Sequence, residues 1–301
     1  MITVAAFYKF TLLPDKEAMA LKLKELLGAE KILGTVILAY EGINGTVAGS
    51  ALAIENLRAF FAADSRFAGI EYKESFTNEN PFYRLKVKLK EEIVTLGKKE
   101  ANPAQVSGTY VNAKEWNELL NDPETLVLDV RNDYEIELGT FKNAKNPQTA
   151  SFREFPKYVS AYLDPQKHTK IAMSCTGGIR CEKASSLLKM QGFKEVYHLK
   201  GGILQYLADV EKEHSKWQGE CFVFDNRVAV NHDLEPGAYD LCHGCRFPIS
   251  PDDKKSEHFQ KGVSCARCFN TRTEAQKNSA NARQKQIELH KARGPRHLGA
   301  R

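Results

Sequence analysis

Apolar residues along this chain recur at two periods, and the period changes with position. In "ITVAAFYKF" (2–10) they form a strand-like run. In "DKEAMALKLKELLGAE" (15–30), Met19, Leu23, Leu26 and Leu27 recur at helical spacing, with Gly28 near the end. "GTVILAYEGINGTVAG" (34–49) reads as two strands joined through Gly42-Ile43-Asn44-Gly45, because Asn-Gly is a strong hairpin signal. "SALAIENLRAFFAAD" (50–64) predicts a second helix with Ser50 placed to cap it. "FYRLKVKLKEEIVTL" (82–96) predicts one more strand. The order βαββαβ predicts a ferredoxin-like α+β sandwich over residues 1–97.

In that last strand Leu85, Val87 and Leu89 alternate with Arg84, Lys86, Lys88 and Lys90. Four cations on one face, after Phe82 and Tyr83, suit a phosphate backbone and a stacked base. They equally suit a solvated sheet face or a protected edge.

"GKKEANPAQVSG" is polar and carries a proline, so residues 98–108 read as a linker. A second α/β unit is expected over 109–218. "YVNAKEWNELLND" is a short helix behind Asn112 as a cap, and "TLVLDVRNDYE" and "KIAMSC" are buried strands. "CEKASSLLKMQGF" is a helix closed by Gly192, and "EVYHLKGGILQYL" gives a strand, a double-glycine turn and a helix. Strands alternating with helices imply a parallel sheet, with sites at the carboxyl ends of its strands.

Two cysteine-bearing segments change this picture. Cys242-x-x-Cys245 and Cys265-x-x-Cys268 stand nineteen residues apart, a zinc spacing that defines a region at 219–270. Four thiolates leave no open position, so the expected zinc is structural. An iron–sulfur centre is the chemical rival. The other segment is "SCTGGIRCEK" (174–183), at the end of a buried strand. Its glycines let successive N–H groups converge on one point, the following helix adds positive potential, and Arg180 adds a full charge. These surroundings favour a thiolate at Cys175, with Thr176, Gly177, Gly178, Ile179 and Arg180 as its anion cradle. Cys181 has two readings: a resolving thiol, or a small buried residue packing the helix.

The net charge of +5 is uneven. Residues 270–301 hold eight Lys or Arg against two Asp or Glu, and the remainder holds thirty-five against thirty-six. The basic tail (271–301), with Arg283 and Lys285, suits an anionic partner or a solvated end. The start of the chain shows no signal-peptide pattern and no stretch is long and apolar enough to span a membrane, so a cytoplasmic protein with reduced thiols is expected.

"LDVRNDYE" (128–135), "GTFKNAKNP" (139–147), "CTGGIR" (175–180) and "HLKGGI" (198–203) together resemble a rhodanese domain. The loop is Cys-x4-Arg, the sulfurtransferase form; the Cys-x5-Arg loop of dual-specificity phosphatases is one residue longer. The front segment with "AYEGINGTVAG", the "CTGGIRCEK" loop and the "CHGC…CARC" knuckles together resemble the bacterial tRNA uridine 5-hydroxylase family over essentially the whole chain. That resemblance implies oxygen-dependent formation of 5-hydroxyuridine at the wobble position of tRNA, an anticodon-loop substrate, and Cys175 as the essential cysteine. Molecular oxygen is the co-substrate the resemblance implies, and no flavin, nicotinamide or haem motif is evident. A thiolate adding to C6 of uracil and a Cys175 persulfide are the two chemistries the loop allows.

Overall fold

The computed structural model describes residues 1–293, the side chains of 290–293 excepted. The final residues of the expected basic tail, 294–301, lie outside the described residues. The chain divides into two compact units, Met1–Phe222 with Val230–Glu235, and Val223–Ala229 with Pro236 onward. The expected boundary at residue 97 therefore falls inside one compact unit.

The N-terminal sheet contains β1 (Ile2–Phe10), β2 (Leu33–Ala39), β3 (Gly42–Gly49), β4 (Glu71–Thr77) and β5 (Leu85–Leu89), in the order β4-β1-β3-β2-β5. Helices α1 (Lys16–Ala29) and α2 (Ala51–Ala62) bury Met19, Leu23, Leu27, Ile54, Leu57 and Phe61 against it. Ser50 caps α2, accepting from the Ala53 N–H at 3.1 Å. This is the expected ferredoxin-like layer, with two differences. The last strand of the βαββαβ unit is not the one expected over 82–96 but β4, hidden by its polar sequence "EYKESFT". It pairs with β1, while β5 runs parallel to β2 as an extra edge. The β2–β3 hairpin also turns at Tyr40-Glu41, not at Asn44-Gly45. Gly45 lies within β3, paired with Phe7 and Val36, and a Cβ there would stand 2.7 Å from the Phe7 ring. The helices cover one sheet face, where Phe7 and Tyr72 lie; Tyr8 and Lys73 belong to the other face.

The second sheet is parallel, in the order β6-β10-β9-β7. Its strands are β6 (Thr109–Val111), β7 (Leu126–Asp129), β9 (Lys170–Ser174) and β10 (Glu195–Leu199). Helix α3 (Ala113–Asn121) starts with a capping box between Asn112 and Glu115, and α4 (Asp133–Ile136) follows β7. Strand β8 (Gly139–Phe141) pairs outside the sheet with β11 (Trp217–Gly219). Helices α5 (Phe155–Tyr162), α6 (Ile179–Met190) and α7 (Gly202–Asp209) complete this part. The strand expected over 82–96 ends at Leu89; beyond it Glu92 is buried and Leu96 joins the core of the parallel sheet. In the expected linker, 98–108, Ala101 joins the same core and the Gly108 N–H donates to Ser185 Oγ at 2.9 Å, while residues 104–106 are exposed.

In the second unit, Asp240–Leu241 pairs with Pro248–Ile249 beside the cysteine knuckles. The expected tail forms α8 (Glu274–Arg293). No helix among the described residues is long and apolar enough to cross a membrane.

Candidate active site and metal centre

The strand β9 delivers the chain to Cys175, and α6 begins at Ile179. Between them the loop folds tightly enough for the Gly178 N–H to donate to Cys175 Sγ at 3.2 Å. Gly178 has φ +97, and a Cβ there would lie 2.9 Å from the Tyr8 hydroxyl. Gly202, at the start of α7, closes the loop from the other side. Its φ is +70, and a Cβ would meet the Cys175 carbonyl oxygen at 2.5 Å and the Gly178 nitrogen at 2.6 Å. Only glycine combines this conformation with such close backbone approach. The Ile203 N–H then donates to the Cys175 carbonyl at 2.9 Å.

Cys175 is fully buried, which by itself disfavours a thiolate. The Cys181 thiol, the Arg180 charge and the N–H groups of Cys181 and Gly178 outweigh that burial and bring Cys175 down to about 6. Cys181, in the first turn of α6, moves the opposite way: burial and the neighbouring Cys175 push its thiol up. The two sulfurs thus differ in kind, one ionised and one a donor to it. None of the seven cysteines is in a disulfide.

Arg180 does not reach over the loop as an open cradle. Its guanidinium closes on the buried Glu135 carboxylate at 2.6 and 2.8 Å and also donates to Thr176 Oγ1 at 3.2 Å. A guanidinium fork matches a carboxylate two-on-two, so a buried carboxylate in reach captures it. Glu135 is positioned in turn by Arg131, which donates to the Glu135 carbonyl at 3.3 Å and pairs with Asp129 at 2.6 Å. Arg180 therefore acts on Cys175 through its field. The expected cradle reduces to the Gly178 and Cys181 amides, while Gly177 is open, with no atom within 4 Å of a Cβ built on it.

Four residues that sequence spacing does not single out border this loop. Tyr8 donates to Glu182 Oε1 at 2.6 Å. The Tyr110 hydroxyl faces the same carboxyl group. Burial and the neighbouring Cys175 push Glu182 up, against these hydroxyl contacts. The Lys73 ammonium lies 5.1 Å from the Tyr8 ring centre. One residue on, Lys183 is buried and reaches Glu41 at 2.7 Å and Glu92 at 2.5 Å. Glu182 and Lys183 lie in the quoted "CEK", and Glu41 in "YEGING"; their partners are distant in sequence.

The expected RNA contacts are divided between the two units. Arg84 and Lys88 are exposed beside and on the edge strand β5, and Lys86 lies half-buried between them. Leu85 and Val87 pack on the core, whereas Leu89 at the strand's end is exposed. Arg283 and Lys285 are exposed on α8, in the other unit.

In that unit the sulfurs of Cys242, Cys245, Cys265 and Cys268 all lie within 4.8 Å of one another. The Cys242–Cys268 separation is 3.8 Å, Cys245–Cys265 is 3.7 Å and Cys265–Cys268 is 3.9 Å. A tetrahedron with metal–sulfur bonds of about 2.3 Å has edges of about 3.8 Å. The four cysteines are positioned to hold a metal ion, in a geometry compatible with structural zinc.

Among solved structures, the rhodanese-like domain of the Alr3790 protein of Anabaena sp. is 22% identical over 36% of this chain and 78% of its own, with a TM-score of 0.31. A rhodanese-related protein of Thermoplasma volcanium is 26% identical over 34% of this chain and 92% of its own, with a TM-score of 0.29. The family model of a rhodanese-like domain matches residues 112–209, and that of the UPF0176 acylphosphatase-like domain matches residues 2–93. An acylphosphatase-like front followed by a rhodanese-like domain matches the architecture of the UPF0176 family.

Proposed function

We propose that this protein is an enzyme that hydroxylates C5 of the wobble uridine of tRNA with molecular oxygen, using Cys175 as nucleophile. The observation that carries the reading is the depressed Cys175 thiolate at the end of β9, in a chain of UPF0176 architecture. The Cys175 lone pair forms a bond to C6 of uracil, and the C5–C6 π electrons move onto the C4 carbonyl oxygen. The resulting enolate carbon C5 takes up O2. Reduction by two electrons from an external donor leaves one oxygen on C5 and releases the other as water. Loss of the C5 proton then expels the thiolate and restores the double bond.

The partner in this reading is the anticodon loop, whose unpaired wobble base needs no duplex melting to enter a pocket. Arg84, Lys86, Lys88, Arg283 and Lys285 are the proposed backbone contacts. The knuckle ion is zinc, held by Cys242, Cys245, Cys265 and Cys268; it is a closed cross-link that takes no part in the chemistry.

One observation favours a second reading: the rhodanese-like match and the Cys-x4-Arg loop suit a sulfurtransferase working through a Cys175 persulfide. Intact mass spectrometry with a 5-fluorouridine stem-loop separates the two. A covalent RNA adduct lost in Cys175→Ser supports the hydroxylase. A +32 Da protein species required for turnover supports the sulfurtransferase. Loss of 5-hydroxyuridine derivatives from the tRNA of cells lacking the gene is the cellular test, and normal levels there would refute the assignment.

A further inference from the structure

We propose that Lys73, from β4 of the N-terminal sheet, is a catalytic residue of the Cys175 site, where its ammonium binds the enolate oxygen formed when Cys175 adds to the pyrimidine. The inference rests on the covalent reading above and extends it to a domain outside the rhodanese-like fold.

An addition to C6 places negative charge on the C4 oxygen, and such charge needs a fixed donor or cation. Arg180 is unavailable for direct contact, because both arms of its fork are held by Glu135. The backbone N–H of Gly178 is already spent on Cys175 Sγ. Lys200, at the adjacent turn, pairs with Glu71 at 3.2 Å. Lys73 differs from these: among the described residues it makes no ion pair; burial and Lys200 work against its charge, while Glu71, Cys175 and Glu182 favour it.

Its placement is fixed from several sides. The ammonium rests on the Tyr8 ring, and Tyr8 is tied by its hydroxyl to Glu182. Both side chains come from the sheet face that the helices leave uncovered. A Cβ at Gly201 would stand 3.5 Å from Lys73 Cε, and one at Gly178 would stand 2.9 Å from the Tyr8 hydroxyl. The open sheet face is thus laid against the two glycine turns that shape the Cys175 loop. Gly201 also walls a cleft of about 400 Å³, shared with Glu71, Tyr72 and Lys200. Glu182, the carboxyl group facing the site, is occupied by Tyr8 and Tyr110.

The test uses the full-length protein and a 5-fluorouridine anticodon stem-loop. Lys73→Met should slow covalent adduct formation by about 100-fold, as loss of one oxyanion donor does. Iodoacetamide alkylation of Cys175 in the same variant should stay within about threefold of wild type, showing an intact loop and nucleophile. Lys73→Arg should recover part of the adduct rate. Adduct formation undiminished in Lys73→Met overturns the inference and leaves the covalent reading standing. An equal loss of adduct and of alkylation also overturns it, since Lys73 would then be structural. Absence of any adduct in the wild-type protein overturns the covalent reading and this inference together.

Discussion

Arg180 and Glu135 meet in a two-pronged ion pair in which the carboxylate is wholly buried and the guanidinium nearly so. The pair fixes Arg180 near Cys175 while removing most of its capacity to bind anything else. Glu135→Gln keeps the shape and removes the counter-charge. Breaking a buried pair this way costs about 3–5 kcal/mol. The variant should therefore unfold at markedly lower denaturant concentration. Its Cys175 should titrate lower than in the wild type, because the Arg180 charge is no longer offset. Denaturation curves and alkylation rate against pH measure the two effects separately, and a Cys175 that titrates higher would contradict the assigned field.

With Cys175 at about 6, its alkylation rate should rise through that pH and level off by neutrality. An ordinary thiol would still be climbing at about 8.5. Peptide mapping after brief labelling at pH 7 should find Cys175 modified and Cys181 untouched, since burial holds Cys181 protonated. The sign for stability follows from the lowered folded-state value. Ionised Cys175 adds stability above the unfolded-chain value, and that contribution is lost as pH falls through about 6.

Gly177 and Gly202 make a paired comparison. A methyl group at Gly177 meets open space, whereas at Gly202 it meets the Cys175 carbonyl and the Gly178 nitrogen. Gly177→Ala should leave Cys175 alkylation within about twofold of wild type. Gly202→Ala should raise the thiolate pKa and slow alkylation at neutral pH at least tenfold, because the Gly178 N–H is displaced from the sulfur. Both rates are read in the same assay, and equal rates would argue against the close approach at Gly202.

Lys183 neutralises two carboxylates, and its removal strands Glu92 in a site that is 5% exposed. Burial works against the Glu92 charge, but Lys183 and the Leu96 and Gly97 N–H groups outweigh it and hold its pKa low. In Lys183→Met burial prevails and the Glu92 pKa rises. The stability lost should be about 3–5 kcal/mol near neutral pH and smaller at pH 4, where Glu92 takes up a proton. Urea midpoints of wild type and variant at the two pH values check the sign; a gap that widens at low pH would contradict it.

Removal of the knuckle metal should affect one unit selectively. After treatment with a strong chelator, or in Cys268→Ser, amide exchange should accelerate across residues 240–270 and remain slow in β7, β9 and β10. A fully ordered metal-free segment would contradict the role of a structural ion.

Much of this was legible in the sequence where a signal is local. Met19, Leu23 and Leu27 recur at helical spacing, and the run "KIAMS" is a buried strand; both elements formed as expected. The four knuckle cysteines were legible because each pair of ligands is three residues apart. Strand β4 was hidden because Glu71, Lys73 and Glu74 give it no apolar signature, although pairing with β1 and packing of Tyr72 suffice to hold it. The apparent Asn-Gly turn failed because Gly45 is paired within the sheet with Val36 and with Phe7, the latter from a distant strand. The site was legible as to its nucleophile and loop. Its surroundings were not, since Tyr8 and Glu182 are 174 residues apart, and Lys183 and Glu41 are 142 apart. No spacing rule links such positions. Arg180 was expected to cradle an anion because its captor, Glu135, approaches only when β7 and β9 are neighbours.

The Lys183 contacts have a bearing on modularity. A fragment cut before residue 109 would keep Cys175, Arg180 and Glu135. It would also turn a buried ammonium toward water and strip the loop of Tyr8 and Lys73. The sulfur-bearing domain of this chain is therefore a poor candidate for transplantation. Its thiolate is set by Cys181, Arg180 and Gly178 of the same domain, but the surroundings that Tyr8 and Lys73 supply are complete only once the first ninety-odd residues have folded onto it.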